Sequence, residues 1–381
     1  MPLPIDYDIL RLIWWVLLGV LLIGLAIMDG FDFGVATLLP IIAKNDVERR
    51  IVINTVGPFW EGNQVWLILG GGAIFAAWPA IYAVSFSGFY LAMFVILAAL
   101  ILRPVGFKFR SKVADPRWRQ TWDICLFIGG FVPALLFGVA VGNVMQGVPF
   151  YFDETLRVTY TGTFFDLLNP FGLVCGIISL LMCMRHGALY LLIKTEDALA
   201  RRSMMATWIL TILLITALYT AYHMTQALPF DRLQSEMNLL QPSNPLSKKV
   251  IQVTGGYFSN FETYRWMLIA PALAFGGIVF SQLCLLLRQR GLSFALNALS
   301  IAGIVAIPGL SMFPFILPSS SHPDHGLTIF DASSSHLTLF VMTIAAIIFI
   351  PIILAYTAWV HRILRGKILA KTIESQSDHY Y

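Results

Sequence analysis

Charge is what this sequence has least of. Its 381 residues include 46 Lys, Arg, Asp and Glu, or 12%, where a soluble domain carries about 25%. That shortage excludes a soluble globular enzyme and a disordered chain. Cysteine is scarce too. Cys125, Cys175, Cys183 and Cys284 lie inside apolar runs without a C-x-x-C pair, so neither a disulfide framework nor a thiolate metal site is indicated. The seven histidines are His186, His223, His322, His325, His336, His361 and His379. They fall in loops, at expected helix ends or in the tail, with no H-x-x-x-H pair and none expected deep in a membrane span. A membrane haem usually takes a deep axial His or Met, and Met within a span is ordinarily packing, so the spacing makes this chain a poor haem ligator. No basic segment precedes the first apolar run, so that run is expected to be a retained span. No internal repeat is visible, and the net charge of +4 gives no nucleic-acid signal.

What is present is apolar length: 58% of the residues are hydrophobic. A bilayer crossing takes about 20 mostly apolar residues. Residues 124–152, 167–184, 203–230, 266–287, 291–321 and 332–360 hold no Lys, Arg, Asp or Glu, while 12–40 hold only Asp29 and Asp32. Residues 51–102 hold only Glu61 and are too long for one crossing; Trp78-Pro79 divides them. The sequence therefore predicts an all-α integral membrane protein, a single polytopic domain of nine transmembrane helices. They run roughly over 12–40, 51–78, 80–102, 121–143, 164–184, 203–227, 264–287, 291–316 and 332–360, with a cytoplasmic tail over 361–381. Of the 25 Lys and Arg, 19 fall in five clusters, at 44–50, 103–119, 185–202, 288–290 and 362–371. Nine crossings put all five on one side, as cytoplasmic enrichment in basic residues requires. Eight would split the first two. The N-terminus is then outside and the C-terminus inside.

Three carboxylates stand inside these spans. Asp29 and Asp32, spaced i, i+3, share one helix face. Glu61 follows Trp60 about ten residues beyond Arg50, roughly 15 Å into the membrane. Each acid opposes insertion by about 2.5–3.5 kcal/mol at the helix centre. A partner cation or a hydrated path must offset that. Two roles fit: proton transfer, and a structural cluster satisfied by Arg103, Asn63, Gln64 and backbone donors. Gly70, Gly71 and Gly72, with Ala73, Ala76 and Ala77, form a small-residue face suited to close helix packing. Pro133, Pro271, Pro308, Pro314 and Pro351 are expected to kink their helices.

At these motifs the chain resembles subunit II of the cytochrome bd-type ubiquinol oxidases of bacteria. The matching segments run nearly from end to end. They include Ile13-Trp14-Trp15, Asp29-Gly30-Phe31-Asp32, Trp60-Glu61-Gly62-Asn63-Gln64-Val65-Trp66, Arg103-Pro104-Val105-Gly106-Phe107, Leu168-Asn169-Pro170-Phe171-Gly172 and Met312-Phe313-Pro314-Phe315. The resemblance implies two four-helix bundles plus one peripheral helix. It implies a partner of homologous fold, subunit I, often with a small third subunit, in the bacterial inner (cytoplasmic) membrane. The complex would oxidise quinol, reduce dioxygen to water and generate a proton-motive force without pumping. Haem b and haem d would be ligated by subunit I, which also carries the quinol-oxidation site. Subunit II would supply a proton path and, in some members, hold a ubiquinone. Carried over by position, Glu61 after Trp60 matches the family's proton-delivering acid, which is Asp in some members. Tyr381, preceded by Tyr380, matches a C-terminal Tyr at the cytoplasmic mouth of that path, and Asp29 and Asp32 match the family's acidic pair. No residue here is expected to be catalytic toward quinol or to bind a metal.

Two other classes accommodate buried acids and broken helices: a proton-coupled secondary transporter, and a scaffold that only stabilises a partner. A transporter works alone, an oxidase subunit depends on a haem-bearing partner, and a scaffold tolerates neutralisation of Glu61. The nine-helix topology predicts that cysteines introduced at positions 79 and 322 react with an impermeant reagent added from outside. Protection at both sites would defeat it.

Overall fold

The computed structural model describes residues 3–234 and 239–368. The chain opens with α1 (Tyr7–Ile42), followed by α2 (Asp46–Val56), α3 (Trp60–Asn63), α4 (Val65–Ala77), α5 (Pro79–Gly88), α6 (Tyr90–Phe109) and α7 (Pro116–Gln146). A short hairpin, β1 (Phe150–Phe152) with β2 (Val158–Tyr160), leads to α8 (Pro170–Lys194) and α9 (Asp197–Thr225). The antiparallel pair β3 (Pro229–Leu233) and β4 (Val250–Thr254) precedes α10 (Ser259–Thr263), α11 (Ile269–Leu286) and α12 (Arg290–Met312). A third hairpin, β5 (Phe315–Leu317) with β6 (Leu327–Thr328), leads into α13 (His336–Ile363).

Local signals set the helix starts. Asn45, Asn169 and Ser335 each accept a hydrogen bond from the backbone two or three residues into their helices. These are caps for otherwise unpaired N–H groups. Pro116, Pro170 and Pro79 sit at first helical positions, where the missing N–H is no loss. Pro79 also pushes Trp78 out of the helical region, to φ −137° and ψ 74°, which separates α4 from α5.

Eight described helices are long and apolar enough to cross a membrane: α1, α6 with its 3-10 extension, α7, α8, α9, α11 with the turn before it, α12 and α13. The expected helix over 51–78 is not continuous. It is α2, α3 and α4, with a break at 57–59 and a step at Gln64. Gly57-Pro58 is the cause, because Pro58 has no N–H for the carbonyl one turn back. The expected helix over 80–102 likewise divides at Phe89 into α5 and α6. Several helices also run past the charges taken as their limits. α8 continues through Arg185 and His186 to Lys194, and both are fully buried. Arg185 is therefore not a loop charge, and His186 lies deep in a long apolar helix, contrary to the sequence reading. Paired or hydrogen-bonded polar groups do not end a helix, and the absence of charge marks only its apolar part.

α1 is the hub, packed against α4, α7, α8 and α12. Residues 29–39 are buried on every side, the pattern of a helix enclosed by others. Glycines permit the approach. A Cβ on Gly34 would stand 1.9 Å from the Cys183 carbonyl oxygen, and one on Gly187 would stand 2.5 Å from the Val35 nitrogen.

The two ends of the helices differ in chemistry. At one end Arg110 pairs with Asp123 at 2.5 Å and with Asp46 at 2.9 Å, while Arg119 reaches Asp46 at 2.7 Å and Arg49 reaches Asp123 at 2.8 Å. These pairs join the start of α2 to the end of α6 and the start of α7. At the other end lie the three hairpins. Trp78, fully buried, donates its indole N–H to the Ile329 carbonyl at 3.2 Å. Arg11 donates to the Leu239 carbonyl at 2.6 Å and to the Ser333 hydroxyl at 2.7 Å.

The α1–α8 contact yields a prediction. Gly34→Leu should abolish a monodisperse peak in size-exclusion chromatography of the detergent-extracted protein. Gly19→Ala, where no heavy atom lies within 4 Å of the added Cβ, should elute as the wild type does.

Candidate functional site: a buried acid cluster beside an exposed glutamate

The site begins with the helix period. Asp29 and Asp32, both fully buried, project from one face of α1. Arg103 enters from α6, one residue before the mid-helix Pro104. Its Nη2 stands 2.9 Å from Asp29 Oδ1 and 3.8 Å from Asp32 Oδ2. Its guanidinium lies 4.7 Å from the centre of the Phe33 ring. The second oxygen contact of Asp32 is Asn63, whose Nδ2 donates to Oδ2 at 2.8 Å. Two carboxylates thus share one guanidinium. Asp29 Oδ2, Asp32 Oδ1, and Arg103 Nε and Nη1 have no hydrogen-bond partner among the described residues. Gln64 is half-buried and bonds to neither acid among those residues.

The break at 57–59 positions the rest. With Pro58 lacking an N–H, the Phe59 N–H bonds instead to the Val56 carbonyl at 2.8 Å. That frees the Thr55 carbonyl, which accepts the Tyr190 hydroxyl at 2.9 Å. A backbone acceptor exposed by the break is thereby satisfied inside the protein, as hydrocarbon requires. The chain then makes the single turn of α3. Trp60 is buried, its ring 5.8 Å from that of Phe107. Residues two apart on a helix lie about 200° apart around its axis. Asn63, pinned inward by Asp32, therefore leaves Glu61 facing out. Glu61 and Gly62 are exposed, and Glu61 makes no hydrogen bond or ion pair among the described residues. Glu61 and the acid pair are thus separate: the acids point into the bundle and Glu61 points away from it.

The cluster includes residues that sequence reasoning missed. His361, near the end of α13, packs against Phe59 with ring centres 4.6 Å apart and planes tilted by 37°. Lys194, at the end of α8, lies 5.3 Å from the Phe59 ring, and its ammonium donates to the Leu364 carbonyl. The Ile368 N–H bonds back to the Lys194 carbonyl at 3.0 Å. The end of α13 is therefore clamped beside the 57–63 break. Tyr380 and Tyr381 lie outside the described residues. A run of Lys194 and Glu196 after an apolar stretch reads as a loop, and only the fold brings it against Phe59. His186 is bonded through Nδ1 to Asn297 at 2.8 Å and stacked on Phe294 at 4.3 Å and 5°. Its Nε2 is buried without a hydrogen-bond partner among the described residues. The described residues contain no group of three His, Cys, Asp or Glu able to hold a metal.

The chain as a whole is similar to known proteins over nearly its full length. The family model for cytochrome bd terminal oxidase subunit II matches residues 10–364. The chain is 45% identical over 381 residues to cytochrome bd-I ubiquinol oxidase subunit 2 of Escherichia coli, covering 99% of this chain and all of that one. It is 30% identical over 362 residues to cytochrome bd ubiquinol oxidase subunit 2 of Bacillus subtilis, covering 94% of this chain and 97% of the relative. The fold is similar to that of the bd oxidase from Geobacillus thermodenitrificans, with a TM-score of 0.68 at 16% identity over 93% of this chain and 98% of that chain. The chain belongs to the cytochrome bd terminal oxidase subunit II family.

Proposed function

We propose that this chain is the subunit of a quinol:dioxygen oxidoreductase that delivers protons toward a haem-bearing partner in the bacterial inner membrane. Full-length identity to named ubiquinol oxidase subunits supports this reading, and a proton-coupled transporter is not favoured. The partner, subunit I, holds haem b and haem d in this reading, and quinol is oxidised there. A small third subunit and a bound ubiquinone belong to the same proposal. Nine crossings are part of it too, with 46–77 as a broken crossing, two four-helix bundles, α13 peripheral, the N-terminus periplasmic and the C-terminus cytoplasmic. The ion pairs from Asp46 to Arg110 and Arg119 support this, because they bring the start of 46–77 and the end of α6 to one face.

The observation that carries the proposal is Glu61, an acid on the outer surface of an apolar bundle. Facing lipid, its charge would be costly by about 2.5–3.5 kcal/mol. Facing another subunit, it can be hydrated or hydrogen-bonded across the interface. Dioxygen reduction consumes protons that do not cross hydrocarbon unaided, and a carboxyl both accepts and donates them. Trp60, packed on Phe107, and Asn63, bonded to Asp32, hold the short turn from which Glu61 projects. Asp29 and Asp32 extend the proton-bearing groups inward, each with one oxygen open to a further hydrogen bond. Tyr381 joins the path at its cytoplasmic mouth in this reading. Its support is the clamp of Lys194 on residues 364–366, which anchors the segment before the tail next to Phe59.

Glu61→Gln should assemble with all haems yet consume oxygen at a small fraction of the wild-type rate, normalised to haem d content. Glu61→Asp should retain more activity. Full activity in Glu61→Gln would leave a structural role only. Arg103→Gln should behave differently. It leaves two carboxylates buried without a cation, a loss of about 3–5 kcal/mol for a broken buried pair. The complex should melt at lower temperature and be recovered in lower yield. An Arg103→Gln complex with wild-type melting would mean that the acids are not held by Arg103.

A further inference from the structure

Between α6 and α7, both long and apolar enough to cross a membrane, the helices leave a cavity of about 40 Å³. Phe89, Met93 and Ile96 wall it from the α6 side, and Phe137 and Ala140 from α7. The 3-10 turn Phe165–Leu168 closes one end. Ile96 is 2% exposed, whereas Leu168 is 36% exposed, so the cavity is deep on one side and reached from the apolar surface on the other. Asn143 is the one polar side chain in the lining among the described residues, and its amide is already engaged. Nδ2 donates to the Val139 and Leu167 carbonyls, each at 2.8 Å, and Oδ1 accepts from Asn169 at 2.9 Å. A buried water takes about two to four polar partners, and here it finds at most one lone pair, on Asn143 Oδ1. The cavity therefore favours an apolar guest, which restores the dispersion contacts that an unfilled space forfeits. Size then selects the guest. A water-sized site takes about 10–15 Å³, and an apolar cavity that admits benzene measures about 150 Å³. At about 40 Å³, this one is too small for a quinone ring or a length of acyl chain and large enough for a molecule of two atoms.

We propose that this cavity binds dioxygen within the apolar layer of the chain, held by contact with Met93, Ile96, Phe137 and Ala140. The choice of dioxygen over other apolar diatomics rests on the function proposed above, in which the complex consumes it. Dioxygen carries neither charge nor dipole, so removal from water and close fit hold it, not hydrogen bonds. The contact area is small, so binding is weak and occupancy follows the concentration dissolved in the surrounding bilayer.

The test uses the purified two-subunit complex, with xenon, an apolar atom of similar size, as the first probe. Crystals held under xenon should show an anomalous peak between α6 and α7. The peak should disappear in Ala140→Val, whose two added methyl groups fill the space, while elution and haem content stay as in the wild type. The second probe is dioxygen itself, applied without quinol so that none is consumed. With isotope-labelled methionine methyls, dioxygen should broaden the Met93 resonance, and several-fold less in Ala140→Val. Broadening at Met205, 60% exposed on α9, should be the same in both proteins. A wild-type cavity that takes up no xenon would overturn the assignment. So would acyl-chain density in its place, or equal Met93 broadening in the two proteins. If Ala140→Val does not assemble, Ala92→Val, from the α6 side of the lining, carries the test. It should give the same losses, and a retained xenon peak would count against the site. Xenon uptake needs no turnover, so its absence would leave the oxidase reading standing, whereas a complex without haem would defeat that reading alone.

Discussion

Arg103 reaches from α6 to Asp29 and Asp32 on α1, inside a layer where charge is poorly screened. An unpaired charge there opposes folding, whereas a shared guanidinium holds two helices at one height and one rotation. α1 is also enclosed over residues 29–39, so its register is copied to every helix packed on it. Gly34 and Gly187 make the contact with α8 close enough that sliding by one residue would drive side chains into backbone. The polar cluster and the close packing are thus two parts of one constraint.

That constraint passes to the surface through Asn63. Its bond to Asp32 fixes the turn after the 57–59 break, and helical geometry then sends Glu61 the other way. The break frees the Thr55 carbonyl that Tyr190 satisfies, so it is held by the body of the protein. A rigid, broken segment is a suitable mount for a residue proposed to face a partner at a set depth. A continuous helix would place Glu61 on the same ladder but would lose the inward anchor two residues later.

Membership in the subunit II family gives the arrangement a purpose. The deep histidine is stacked on Phe294 and bonded to Asn297, which places a buried polar group between α8 and α12. Its two ends divide the remaining work. One end is a lattice of ion pairs that gathers α2, α6 and α7. The other is a layer of hairpins held by Trp78, Arg11 and the Lys248–Asp331 pair.

The apolar runs by themselves determined that the chain spans a membrane, and the motif order determined its family. Asp29, Asp32, Glu61, Arg103 and Asn63 were legible as a group because charge is rare in such runs. Which of them touch was not legible. Arg103 and Asn63 lie 74 and 31 residues from their acid partners, and no local period links such distances. Helix limits were misread where polar residues are buried. Arg185 and His186 look like a loop until Thr211, Ser281 and Asn297 from other helices satisfy them. The break at Gly57-Pro58 was written in the sequence but hidden within a long apolar run. Only tertiary structure decided that Glu61 faces outward while its neighbours face in, because that direction depends on an anchor from another helix.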